Sequence, residues 1–340
     1  MLFYFLDRHK LVNELTSEPR KSYEKFSEEY DKIAFEWNIS PQPEPKCTEY
    51  TQETKDKKWT QDAINKGVDK LCKEFITVQE YHPPNMKSDA FTANPERNRQ
   101  SVKCLDETRV VLKWPGSKTD YINANYVSTT NNKKRFICTQ GPLDKKEKLL
   151  DTKDDFWHMV IQEECEIIIM LCQVKENDEE KCAQYWPLEF DKETPYGDVK
   201  VVSSRDDVDG TADSVTITKL TVSWMENGKP QKREVWHYLW REWPERGVPS
   251  YRFTADNIFN YLSLRKTTKP ITVHCSNGIG RTGSFVAFEF FLEKLESDLP
   301  FEAMDEILKK IRNQRLGSID KESGVSVGSK GPKFFKKSIM

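Results

Sequence analysis

The sequence predicts a mixed α/β fold over most of the chain, and three observations carry that expectation. "EIIIMLCQV" (166–174) is continuously apolar, as a strand buried on both faces of a sheet would be. "DSVTITKLTVSW" (213–224) alternates β-branched residues, Asn227-Gly228 marks a hairpin turn, and "REVWHYLW" (233–240) returns. "PITVHC" (270–275) is a short apolar strand that runs through a glycine-rich stretch into the helical pattern "RTGSFVAFEFFLEKLES" (281–297).

The remaining elements follow in chain order. "AINKGVDKLCKEF" (63–75) has helical spacing and "FICTQ" (136–140) reads as a strand. "TADNIFNYLSLRK" (254–266) reads as a helix. The helix after "PITVHC" is expected to place Phe288, Phe291, Leu292 and Leu295 on one face. A last helix over 301–315, "FEAMDEILKKIRNQR", aligns Met304, Ile307, Leu308 and Ile311. No internal repeat is visible.

Three regions are expected. Residues 1–58 form a charged extension in which Tyr23, Phe26, Tyr30, Ile33 and Trp37 recur at helical spacing, followed by the linker-like "PQPEPK" (41–46). That stripe either docks on the main domain or binds a partner. Residues 59–322 form the main domain. Residues 323–340 are a Gly, Ser and Lys-rich basic tail with the composition of a disordered segment.

Bulk properties exclude several classes. The 340 residues carry a formal net charge of −2 and a pI near 6.3, so nothing draws the whole chain to nucleic acid or acidic membranes. An anionic ligand has to be met by a local site. No segment approaches the ~18–20 apolar residues that span a bilayer. "MLFYFL" is short, lacks a basic leader and runs into Asp7 and Arg8, so no secretory signal is read and a cytoplasmic location is expected. The eight cysteines include no C-x-x-C and are expected as reduced thiols. The five histidines show no zinc-like spacing, so no metal is expected.

The stretch "ITVHCSNGIGRTGSFVAFEFF" (271–291) holds the chemistry. Gly278, Gly280 and Gly283 fit G-x-G-x-x-G, a dinucleotide signal. That reading needs an acidic residue about 20 positions on, at the end of a second strand. The amphipathic helix around Ala303 and Met304 occupies that place instead. A phosphoryl-transfer reading uses more residues. The strand delivers Cys275, and Ser276, Asn277, Gly278, Ile279 and Gly280 can curl with their N–H groups inward. Gly278 and Gly280 supply the unusual dihedrals and close approach that such a nest needs. Arg281 adds a planar cationic fork at the start of the helix. That field lowers the Cys275 pKa, and the Thr282 hydroxyl can donate to the sulfur. An acid for the leaving oxygen is available in "WREWPERGVPSY": Glu245 follows Trp243-Pro244 in a loop with the composition of a lid, or of a structured surface turn.

"VHCSNGIGRTG" resembles the signature of the cysteine-dependent, tyrosine-specific protein tyrosine phosphatases. "DYINANYV" (120–127), "TQGPL" (139–143), "DFW" (155–157), "KCAQYWP" (181–187), "WPERGVP" (243–249) and "RNQR" (312–315) are similar to that family's motifs in the same order. The similarity covers about residues 68–320. It implies a twisted, mixed β-sheet flanked by helices, with the phosphate loop at a strand–helix junction. It also implies an enzyme that hydrolyses phosphotyrosine in proteins through a phosphocysteine on Cys275, with Arg281 holding the phosphoryl oxygens and Glu245 in place of the family's aspartate. Glu176 and Lys181 fall where the family keeps a supporting pair, and Glu176 is expected to orient Arg281. His274 lies where the family tunes the thiolate. Phosphotyrosine proteins are the implied partners, and no cofactor is implied.

The chain departs from the family pattern at three places. Glu245 replaces an aspartate. Gln100 and Ser101 stand after Asn98-Arg99 where the family has a pocket tyrosine and an aspartate, with one residue deleted. Asp320 and Gly324 replace two glutamines that place the hydrolytic water. These departures imply reduced turnover or, as the alternative, a catalytically impaired relative that binds or shields phosphotyrosine.

Overall fold

The computed structural model of the chain describes residues 73–78, 80–99, 102–115, 117, 119–130, 134–204, 215–244, 267–296 and 303–319. In chain order the elements are α1 (Asp89–Ala93), a 3-10 turn (Pro95–Arg97), β1 (Arg109–Val111), β2 (Tyr121–Ser128), β3 (Lys134–Gln140) and α2 (Lys153–Gln162). β4 (Ile167–Met170), β5 (Lys175–Glu176), β6 (Glu179–Glu180), β7 (Thr194–Tyr196), β8 (Val199–Ser203), β9 (Val215–Glu226) and β10 (Lys229–Trp240) follow. The described elements close with β11 (Ile271–Cys275), α3 (Gly280–Glu296) and α4 (Met304–Arg312). Contacts divide the chain into two units, and apart from Lys73 every described residue lies in one of them.

The sheet order is β1-β2-β3-β11-β4-β10-β9-β8-β7, while β5 and β6 pair separately as a small hairpin. Its centre is parallel: β11 pairs with β3 on one side and β4 on the other, and β4 pairs with β10. Both flanks are antiparallel. The sheet is therefore mixed, as the fold class requires. Every residue of β11 and β4 is buried, which is why their sequences carry no polar alternation. The β9–β10 hairpin turns at Asn227 (φ 50°) and Gly228 (φ 74°), both left-handed, as a two-residue turn demands.

Several boundaries and faces differ from the sequence reading. The apolar run 166–174 contributes only Ile167–Met170 as strand, and the chain then bends toward the β5–β6 hairpin. The last helix is Met304–Arg312, shorter than 301–315, with Ile307, Leu308 and Ile311 in the core. On α3 the buried side chains include Phe285, Val286, Glu289 and Phe290, while Phe288 is only half-buried. The helix packs against β11, β3 and α4 and so buries more than one stripe; of the expected face only Phe288 is described, the Phe291, Leu292 and Leu295 side chains lying outside the described residues. The sequence reading had no helix at α2 and no strands at β1, β2, β7 and β8. The expected helix at 63–75 reaches the described residues only at its end, where 73–78 is helical. The expected helix at 254–266, the extension 1–58 with its amphipathic stripe and linker, and the tail 323–340 lie outside the described residues.

Candidate active site

β11 delivers Cys275 at its C-terminal end, between β3 and β4, and α3 begins five residues later. The loop between them is held by its carbonyls. The Ser276 carbonyl accepts from the Gly141 N–H at 2.9 Å. The Asn277 and Gly278 carbonyls accept from Arg315 Nη2 and Nε at 3.2 and 3.1 Å. The Ile279 carbonyl accepts from the Gly283 and Ile319 N–H groups at 2.9 and 3.0 Å. With four successive carbonyls turned onto partners, the N–H groups are left to line the inside of the turn. Gly278 has φ 68°, and a Cβ there would land on the Thr139 carbonyl. Gly280 departs from expectation: its φ is not left-handed, because it already belongs to the first turn of α3.

The thiol electrostatics separate Cys275 from its neighbours. All six described cysteines are unpaired and buried. Burial pushes the Cys138 and Cys165 thiols up to about 12 and also raises Cys104, Cys172 and Cys182. Burial opposes ionisation of Cys275 as well. There the Arg281 guanidinium, the Thr282 hydroxyl and the N–H groups of Thr282 and Gly278 outweigh it, and the pKa falls below the ordinary thiol value. The Thr282 hydroxyl is buried without another oxygen or nitrogen partner, so its proton is available to the sulfur.

Arg281 is 5% exposed and held from two sides. Its Nη1 and Nη2 donate to Glu176 Oε1 and Oε2 at 2.6 and 3.0 Å, and Nη1 also donates to the Trp243 carbonyl at 3.0 Å. Burial alone would lower the guanidinium pKa, but Glu176 and the Cys275 sulfur overcome that and raise it. The structure thus brings Cys275, Arg281, Thr282 and Glu176 together, with the backbone of Trp243 beside them. Trp243 packs on Trp240 with ring centroids 4.9 Å apart. Lys181, which follows β6, is buried, and its Nζ donates to Glu179 Oε2 at 2.6 Å.

His274 lies behind the loop. Its Nδ1 is 3.1 Å from the Cys275 carbonyl and its Nε2 2.7 Å from the Tyr185 hydroxyl. Burial pushes its pKa down to about 4. The Tyr185 hydroxyl also lies 2.8 Å from Nε2 of His237 on β10.

Several supporting residues were not assigned from sequence. Arg315, fully buried, spreads its fork over the loop carbonyls and over Asn123 Oδ1 and Asn125 Oδ1 at 2.7 and 2.8 Å. Asn123 and Asn125 sit two apart in β2 and so share a face. A pair of asparagines at that spacing in an apolar strand is a legible sign of a buried polar partner. Asn98 accepts from the Tyr121 hydroxyl at 2.6 Å and Asn123 Nδ2 at 2.9 Å, and the Arg99 N–H donates to Gln140 Oε1 at 3.0 Å. These bonds tie the segment before Gln100 to the strands beside the phosphate loop. Glu245, Gln100, Ser101, Asp320 and Gly324 lie outside the described residues. Among the described residues no cluster of three or more His, Cys, Asp or Glu is placed to hold a metal ion. No described helix is long and apolar enough to cross a membrane.

Comparisons with known proteins point the same way. Residues 94–327 match the family model described as protein-tyrosine phosphatase. The chain is 34% identical over 247 residues to human tyrosine-protein phosphatase non-receptor type 9, covering 66% of this chain and 39% of that protein. It is 32% identical over 256 residues to rat tyrosine-protein phosphatase non-receptor type 20, covering 73% of this chain and 56% of that protein. The chain thus spans about half or less of the length of these curated relatives. Among solved structures, the catalytic domain of human protein tyrosine phosphatase non-receptor type 18 superposes with a TM-score of 0.67 at 25% identity, covering 76% of this chain and 94% of that domain.

Proposed function

The chain belongs to the protein-tyrosine phosphatase family, and from that premise we propose that it hydrolyses phosphotyrosine in proteins through a phosphocysteine intermediate. One observation carries the reading: among the six described cysteines, all buried, only the Cys275 thiol is lowered, held by N–H groups of the loop that follows it and by a buried guanidinium. A buried cysteine without this purpose would resemble Cys138 or Cys165.

The steps follow from the placement. The Cys275 thiolate attacks phosphorus, a sulfur–phosphorus bond forms and the bond to the phenolic oxygen breaks. Loop N–H groups and Arg281 hold the non-bridging oxygens while charge redistributes. The Glu245 carboxylic acid gives its proton to the leaving phenolate. Its carboxylate then takes a proton from the attacking water as the sulfur–phosphorus bond breaks and phosphate leaves. Glu176 positions Arg281, and His274 with Thr282 stabilises the thiolate. Lys181 supports the β5–β6 hairpin, and Asp320 takes the sequence position at which the resembling family keeps a glutamine for the hydrolytic water. Turnover below that of an aspartate-bearing site is part of this reading, because the longer Glu245 side chain and Asp320 both act in the second step. The unpaired thiols and the non-receptor relatives support a cytoplasmic site of action.

The test is phosphate release from a phosphotyrosyl peptide by the wild type and by Cys275→Ser. Release by the first and none by the second is expected. A wild type that binds the peptide without releasing phosphate overturns the reading in favour of a phosphotyrosine-binding module.

A further inference from the structure

Three side chains from three separate segments form one buried hydrogen-bonded line behind the phosphate loop: His237 on β10, Tyr185 after the β5–β6 hairpin, and His274 on β11. Its polarity can be worked out atom by atom. The Cys275 carbonyl only accepts, so His274 Nδ1, 3.1 Å away, carries a proton and donates to it. Burial lowers His274 to about 4 and, with repulsion from His274, lowers His237 to about 3, so at neutral pH each ring holds a single proton. His274 Nε2 is therefore a bare acceptor, and the proton 2.7 Å away must come from the Tyr185 hydroxyl. The Tyr185 oxygen in turn accepts from His237 Nε2–H at 2.8 Å. The remaining ring atom, His237 Nδ1, is buried with no partner. That cost is what remains when the one proton of His237 is committed to Tyr185.

We infer that His237 is a positioning residue for the Cys275 thiolate: its Nε2–H fixes the Tyr185 hydroxyl so that every donor in the line points toward the Cys275 carbonyl. This inference rests on the reading of Cys275 as the nucleophile. A donor at that carbonyl polarises the Cys275–Ser276 peptide and fixes the point at which the loop leaves β11. Without His237 the Tyr185 oxygen loses its donor. His274 then gains a second tautomer, with Nε2–H toward Tyr185 and a lone pair facing the Cys275 carbonyl. The loop becomes less well held and the thiolate less stabilised. The ring of His237 is also fixed by Trp186, with centroids 4.5 Å apart.

The titratable groups around this end of the molecule are known. Arg281 from α3 and Arg99 face His274; Arg281 faces Cys275. The thiols of Cys138 on β3, Cys172 after β4 and Cys182 face Cys275, and burial keeps all three protonated at neutral pH. Burial raises those three thiols and the loop lowers Cys275, so a thiol midpoint below the ordinary thiol value reports on Cys275.

The experiment measures iodoacetamide alkylation of Cys275 against pH, read by mass spectrometry of the Cys275 peptide. The proteins are the wild type, His237→Leu, His237→Gln and Tyr185→Phe. His237→Leu and Tyr185→Phe are expected to raise the midpoint by about one pH unit, a tenfold loss of thiolate at a pH below both midpoints. His237→Gln keeps an N–H donor for the Tyr185 oxygen and is expected to stay near the wild-type midpoint. A purely structural role for His237 would lower melting temperature in both His237 variants and leave both midpoints in place; that result overturns the inference. So does a glutamine variant that shifts as far as leucine. If His237→Leu does not fold, the other two decide: glutamine unmoved with Tyr185→Phe raised supports the inference, and an unmoved Tyr185→Phe overturns it. The midpoints need no turnover, so they decide this inference whatever the phosphate-release assay returns.

Discussion

Arg281 and Glu176 meet fork to fork, Nη1 at 2.6 Å from Oε1 and Nη2 at 3.0 Å from Oε2, with both side chains nearly buried. The carboxylate takes one N–H from each terminal nitrogen and leaves the rest of the guanidinium for a phosphoryl group. Glu176→Gln removes the charge and one of the two acceptors. The arginine then keeps the Trp243 carbonyl as its other fixed partner and is free to rotate about it. A displacement of ~1 Å in a catalytic group can cost ~10²-fold, so kcat/KM on a phosphotyrosyl peptide should fall by about that factor. A wild-type kcat/KM would mean that Arg281 needs no carboxylate to aim it.

Gly278→Ala tests the loop itself. The left-handed φ of 68° already disfavours any side chain, and the new Cβ would collide with the Thr139 carbonyl and approach the Gln140 nitrogen at 2.7 Å. Both obstacles are backbone, so neither can rotate away. Strain of ~1–3 kcal/mol from the dihedral alone is expected, with the collision in addition. Thermal melting should drop and Cys275 alkylation at neutral pH should slow, because the N–H groups move off the sulfur. Gly228→Ala is the control: it has a similar φ of 74° but nothing within 4 Å of its Cβ. It should cost stability and leave alkylation unchanged.

How far the sequence reveals this site follows from the range of the interactions. Cys275, the loop, Arg281 and Thr282 lie within eight residues, and local chemistry is enough to set them side by side. β9 and β10 are legible because their turn residues and alternation are local too. Glu176, 105 positions away from Arg281, came only through resemblance to the family. Arg315 and the Asn123–Asn125 pair meet across 190 or more positions; the asparagine pair signals a buried polar partner, but nothing local says that the partner is Arg315. α2 was passed over because "KDDFWHMVIQ" buries seven consecutive residues, Asp155 to Ile161, so that no apolar stripe stands out against a polar one. On α3 burial is likewise not confined to one stripe: Phe285 and Phe290 lie in the core and Phe288 is half-buried.

Acid stability provides a test with a defined sign. His237 and His274 are lowered to about 3 and about 4, first by burial. In the unfolded chain they titrate at about 6.5. Each therefore contributes stability that is complete above that value and is lost as pH falls toward its folded pKa. Asp155 runs the other way: burial, only partly offset by Arg97, raises it to about 6. Its contribution is present below the ordinary aspartate pKa and lost as pH rises through about 6. Between about pH 4.5 and 6 two histidines oppose one aspartate, so a net of about one proton favours the unfolded state and stability falls by ~1.4 kcal/mol per pH unit on acidification. Urea unfolding across that window should show a steeper slope in Asp155→Asn and a shallower one in His237→Gln. An unchanged slope in Asp155→Asn would show that this carboxyl is ionised in the folded protein.

The position of Glu245 in the reaction can be read from its two nearest substitutions. Glu245→Gln keeps the length and removes the proton, so the leaving phenolate departs unassisted. Loss of a general acid costs ~10²–10⁴-fold, and kcat should fall within that range. Glu245→Asp keeps the proton and shortens the reach by one methylene. If the longer side chain holds the acid off line, the aspartate variant should turn over faster than the wild type. Rapid mixing with an aryl phosphate separates the two steps. A burst of phenol followed by slow turnover means that phosphocysteine forms readily and its hydrolysis limits. In that case Asp320→Gln should raise the steady state alone, while Glu245→Asp, acid in the first step and base in the second, should raise both the burst rate and the steady state. A glutamine variant at 245 with wild-type kcat would remove Glu245 from the mechanism altogether.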